Sequence, residues 1–97
     1  MPETAIKAEL LLPDDLCDFD AVSDLEDPLD RRLIDAGVGE VMGGGIGSGW
    51  YRFDLVLADY DVAADLLRAW APDLRLPPGS CLRRKGLAVA TEIVPAD

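Results

Sequence analysis

The chain has 97 residues and a formal charge of −10, from nineteen Asp and Glu against nine Lys and Arg, which fits a single domain with a strongly negative surface. Its 49% hydrophobic and 29% charged residues describe a globular core under that surface and exclude a wholly disordered chain. The charge disfavours phosphate backbones and anionic lipid, so neither nucleic acid nor membrane is an expected partner, whereas a cationic protein would be drawn in at low salt.

Thr4 to Leu12 alternates Ala5, Lys7 and Glu9 with Ile6, Ala8, Leu10 and Leu12, a half-buried strand that Pro13 ends. Asp14 to Asp27 is acidic, with Leu16, Cys17, Phe19, Val22 and Leu25 interspersed, and reads as a long loop with at most a helical turn. Asp27-Pro28 is a helix opening, since Asp accepts from free N–H groups and Pro at the next position wastes no donor. The first helix is therefore expected over Pro28 to Ala36. Asp30 adds negative charge to its first turn, Leu29, Leu33, Ile34 and Ala36 form its apolar face, and Gly37 stops it.

Val38 to Gly44 reads as a strand and Tyr51 to Ala58 as its partner, with Gly43 to Gly49 joining them. Tyr51, Phe53, Leu55 and Leu57 share one face of that partner. Asp59 or Asp61 caps a second helix through Trp70, with Val62, Leu66, Ala69 and Trp70 at helical spacing, Ala63 and Leu67 beside them, and Pro72 at its end. Leu74 to Gly79 connects to a strand beginning at Cys81 and Leu82. Arg83, Arg84, Lys85 and Gly86 make a basic turn, and Leu87 to Val94 closes a hairpin or extends the preceding strand.

The order strand, helix, strand, strand, helix, strand resembles the ferredoxin-like βαββαβ sandwich, an α+β fold with an antiparallel sheet and both helices on one face. The resemblance lies in the element order, the stop at Gly37, the hairpin around Gly43 to Gly49 and the helix after Asp61. Small bacterial proteins and regulatory ligand-binding domains share this order, and function does not follow from it.

Two segments are candidate sites. The acidic residues Asp14, Asp15, Asp18, Asp20 and Asp24 around Phe19 offer a docking surface for a basic protein, the logic by which acidic immunity and inhibitor proteins block basic toxins. The same acids lack the glycine and closing glutamate of an EF-hand, so a solvated face is expected over a calcium site. The glycine run, with Gly44, Gly45, Gly47, Ser48 and Gly49, offers backbone N–H groups to a small anion, against the alternative of a bulged hairpin. It matches neither G-x-G-x-x-G nor the lysine-bearing phosphate loop.

Of the aromatics, Phe53 and Trp70 are expected in the core and Trp50 at the surface, while the basic cluster is expected to pair with the chain's own carboxylates. The chain contains no histidine, which removes the commonest general base, His-based triads and the usual zinc ligand. Only Cys81, near Arg83, has a cationic neighbour to activate a thiol. A non-catalytic binding module without a cofactor is the resulting expectation, with an enzyme using acidic residues and a metal as a third reading. Cys17 and Cys81 read as free thiols in a reducing compartment, and no apolar run approaches the ~18 residues of a membrane span. The start, Met1-Pro2-Glu3-Thr4, has no basic region leading into an apolar run. A cytoplasmic location is expected, and an open sheet would leave an edge for a homodimer.

Overall fold

The computed structural model describes residues 5–13, 19–47 and 49–95, with the side chains of 19–23 set aside. It is an α+β fold: a five-stranded antiparallel sheet and two helices. In chain order the elements are β1 (Ile6–Pro13), α1 (Phe19–Asp35), β2 (Gly39–Gly47), β3 (Trp50–Leu57), α2 (Tyr60–Leu74), β4 (Cys81–Arg84) and β5 (Ala90–Glu92). The sheet order is β2-β3-β1-β4-β5. β1 and β2 both pair antiparallel with β3, so they run parallel to each other with β3 between them.

Alternation in β1 and β3 decides the two faces of the sheet. Ala8 pairs with Leu55 and Leu10 with Phe53, and these four residues are buried on one face together with Leu12, Leu57 and Leu82. Leu29 and Leu33 of α1 join the same cluster, as do Ala63, Leu67, Ala71 and Leu74 of α2. Both helices thus cover this one face. At roughly 1.5–3 kcal/mol per buried Leu or Phe, that face supplies most of the apolar driving force.

The first helix begins nine residues before the expected opening, so most of the acidic stretch expected as a loop is helical, and Pro28 lies inside the helix. Proline keeps a helix-compatible φ but leaves the carbonyl four residues earlier without its N–H partner. That carbonyl belongs to Asp24, and Asp24 and Pro28 are both exposed, so water can satisfy it. The compensating contact is the stripe Leu25, Leu29 and Leu33, one turn apart, half-buried at its first member and buried at the other two. Ile34 and Ala36, expected on the apolar face, are exposed. Asp30 sits in mid-helix instead of the first turn, and its Oδ1 accepts from the Val41 N–H at 2.8 Å. Gly37, at φ +70°, ends the helix as expected, with the Val38 N–H reaching back to the Leu33 carbonyl.

In α2 the cap is Asp59, whose side chain accepts from the Val62 N–H. Pro72 does not end the helix; it falls in the last turn, and the helix is capped by Arg75, a left-handed residue at φ 56°. The buried face is Tyr60, Ala63, Ala64, Leu67, Ala71 and Leu74, rotated from the expected one: Val62 and Ala69 are exposed and Leu66 and Trp70 half-buried. Arg32 lies over the Trp70 ring, 5.9 Å from its centroid. Arg83 and Arg84, expected in a turn, belong to β4, and the turn is made by Lys85 and Gly86. β5 closes a hairpin on β4, with Leu82 opposite Thr91. No helix among the described residues is long and apolar enough to cross a membrane.

Candidate functional site

The glycine run is not a connecting loop. Gly43 to Gly47 pair residue by residue with Asp54 to Trp50, and only positions 48 and 49 join the two strands, with Gly49 at φ +82°. A bulge at Met42 shifts the register between Val41 and Gly43. Glycine here permits close approach: a Cβ on Gly44 would stand 2.5 Å from the Arg52 carbonyl oxygen. Held in a ladder, this backbone does not curl into a nest of N–H groups around an anion, the role the sequence suggested for it. What the run does is remove side chains from one edge of the sheet.

That removal matters on the sheet face opposite the helices. Alternation places Glu9 and Leu11 of β1, Trp50 and Arg52 of β3, and Cys81 and Arg83 of β4 there. With Gly45 and Gly47 as the bare side, these residues line a groove of about 520 Å³. The volume lies in the range of small-molecule sites. Glu9 and Leu11 are only 8% and 9% exposed on this face, and the Arg52 and Arg83 side chains of the neighbouring strands lie against Glu9.

The charged centre is an Arg52–Glu9–Arg83 triad spanning three strands. Arg83 donates to Glu9 Oε1 from Nε at 3.2 Å and from Nη2 at 2.7 Å. Arg52 Nε approaches Glu9 Oε2 at 3.7 Å and Asp54 Oδ1 at 3.1 Å. Its terminal nitrogens extend towards β2, where a Cβ on Gly45 would meet Nη2 at 3.2 Å. The pairing of Arg83 with the chain's own carboxylate is as expected, whereas Arg84 packs over the Tyr60 ring, 4.9 Å from its centroid. Burial raises the Cys81 thiol above its ordinary pKa, with Arg83 opposing, so the thiol is protonated at neutral pH and is a poor nucleophile.

The two sequence candidates do not come together. Asp24 is exposed on α1, while Gly45 and Gly47 line the groove on the far side of the sheet and Gly44 faces Phe53. Asp14, Asp15, Asp18 and Ser48, the side chains of Phe19 and Asp20, and Cys17 lie outside the described residues. Trp50, at 37% exposure, stands at the surface as expected, and Phe53 is buried. Glu9, Leu11, Arg52 and Arg83 were not among the candidates. Their sequence signal is faint: charged residues at alternate positions in two strands, Lys7 and Glu9 in one and Arg52 and Asp54 in the other.

A smaller cleft between α1 and β2, about 110 Å³, is lined by Glu26, Asp27 and Asp30. Among the described residues no three Cys, Asp or Glu side chains are grouped to hold a metal ion. No protein-family model, curated protein or solved structure matches the chain. The groove is therefore read from its own chemistry. It offers guanidinium donors from Arg52 and Arg83, the Trp50 side chain, and a strand whose Gly45 and Gly47 carry no side chains, with exposed Ile46 between them.

Proposed function

We propose that this protein is a non-catalytic binding module of ferredoxin-like build, and that its helix-free sheet face holds a small anionic ligand. The build is supported by the β2-β3-β1-β4 part of the sheet, where each helix-linked pair of strands is parallel and split by a third; β5 is an addition at the edge. The ligand is supported by one observation above others: in a chain of charge −10, a groove of small-molecule size is lined by two arginines and one glutamate. Glu9 and Asp54 match the two arginines in charge, so what favours an anion is the guanidinium N–H groups that line the groove, which give charge-assisted hydrogen bonds. A thermal-unfolding titration at constant ionic strength with acetate, benzoate and inorganic phosphate tests it. A saturable rise in midpoint with any of these, lost in Arg52→Gln, supports the reading; a midpoint indifferent to all of them overturns it.

A second reading places a basic protein partner on the helical layer. Asp24, Glu26, Asp27 and Asp35 of α1 and Asp61, Asp65 and Asp73 of α2 are all exposed, and this layer carries much of the net charge. Affinity for a basic partner that falls steeply from low to high salt, on-rate first, supports this docking. A salt-independent affinity, or one unchanged by Asp24→Asn with Asp27→Asn, removes it.

A further inference from the structure

The geometry points to a flat aromatic carboxylate as the ligand of the groove, with its ring over Gly45 and Gly47 against Trp50 and its carboxylate on the terminal guanidinium nitrogens that Glu9 leaves open. This inference rests on the groove being an anion site, as proposed above, and adds the ligand's class and its orientation.

Charge sets the first constraint. Glu9 pairs with Arg83 and Asp54 stands 3.1 Å from Arg52 Nε, so two carboxylates match the two arginines before a ligand arrives. A carboxylate adds one negative charge to that matched set, the smallest addition an anion can make. A phosphate group near neutral pH carries about 1.5 to 2 negative charges and would leave uncompensated charge inside an already anionic molecule.

Donor geometry sets the second. Glu9 takes the Nε and Nη2 of Arg83, and the Nε of Arg52 is the nitrogen nearest its carboxylate neighbours. No hydrogen bond among the described residues engages Nη1 of Arg83 or the Nη pair of Arg52. These are planar, in-line donors, a match for the planar fork of a carboxylate.

Shape sets the third. A Cβ placed on Gly47 would meet nothing within 4 Å, and one on Gly45 would meet only the Arg52 guanidinium. The bare strand therefore forms a shelf beside the half-open Trp50 ring, with nearly buried Leu11 across from it. A planar ring fills such a shelf by offset stacking, whereas acetate would occupy only the arginine end of a 520 Å³ groove.

The experiment follows backbone amide, indole and guanidinium resonances of the protein during titration with benzoate, acetate and inorganic phosphate at constant ionic strength. Benzoate is expected to move the Trp50 indole and the Arg52 and Arg83 guanidinium signals together and saturably, roughly tenfold more tightly than acetate, for the apolar area of one ring. Gly47→Val, which adds bulk to the shelf at a position that tolerates a β-branched residue, is expected to abolish that advantage. Phosphate binding more tightly than benzoate overturns the flat-carboxylate assignment while the anion groove stands. Benzoate binding that Gly47→Val leaves unchanged overturns the ring placement. Failure of all three anions to give saturable shifts overturns the inference together with the reading beneath it.

Discussion

Removing Glu9 tests whether the triad organises the helix-free face. The side chain is nearly buried and receives two hydrogen bonds from Arg83, one of them at 2.7 Å. Hydrogen bonds to a charged group contribute about 1.5–3 kcal/mol in total at such a site. Arg52, at 3.7 Å and 45% exposed, adds no hydrogen bond and at most ~1 kcal/mol. A buried ion pair broken from one side costs about 3–5 kcal/mol, but both arginines here reach water and can rehydrate, which lowers the figure. Glu9→Ala is expected to destabilise the fold by about 2 kcal/mol, and Glu9→Gln, which keeps the stem and one acceptor, by about 1 kcal/mol. Urea unfolding of the parent, Glu9→Ala, Arg83→Ala and the double variant measures the coupling directly, expected near 1 kcal/mol. A loss below about 0.5 kcal/mol in Glu9→Ala, or a coupling indistinguishable from zero, would refute the triad as an organising contact.

Tyr60 ties α2 to the β4–β5 edge of the sheet, its hydroxyl donating to the Leu82 carbonyl at 2.8 Å and lying 2.8 Å from Thr91 Oγ1. Tyr60→Phe should lower stability by about 1–2 kcal/mol in urea unfolding, because the buried Leu82 carbonyl loses an acceptor's partner. Arg75 adopts a left-handed conformation to end α2. Arg75→Gly should raise stability by up to about 1 kcal/mol, and an unchanged or lower midpoint would count against strain at this cap. Cys81, with its pKa raised by burial, should alkylate more slowly in the native protein than in urea when followed in a Cys17→Ser background. Below the ordinary thiol range both states keep the proton; as pH rises through it the unfolded chain ionises first, so Cys81 makes stability fall with alkalinity. Replacing Cys81 with Ser should flatten that part of the profile.

The strands with alternating side chains were legible because a period of two survives in β1 and β3 whatever packs against them. Gly37 and Asp59 were legible too, as backbone requirements met locally. The start of α1 was not. Asp27-Pro28 carries a strong local opening signal, and it is overridden because Pro28 faces water while Leu25, Leu29 and Leu33 gain the core. The buried face of α2 was misaligned for a related reason: which side of the helix meets the sheet is set by packing against the strands, so Ala63, Ala64 and Ala71 are buried while Ala69, the same residue type, faces water. The glycine strand gave no alternation to read, since residues without side chains leave no pattern on either face.

The site was least legible of all. Glu9, Arg52 and Arg83 lie more than thirty residues apart along the chain, and only the pairing of three strands brings them into contact. By itself the sequence determined the composition-level facts: the acidic charge, the order of strands and helices as far as β4, and the lack of histidine. These depend on residue type and short-range spacing. The tertiary structure alone decided which carboxylate sits between which arginines and that the glycines clear a groove beside them. Cross-strand register, set by the Met42 bulge and the turn at Gly49, is a property of paired chains, and a shift of one residue would have sent the same side chains to opposite faces.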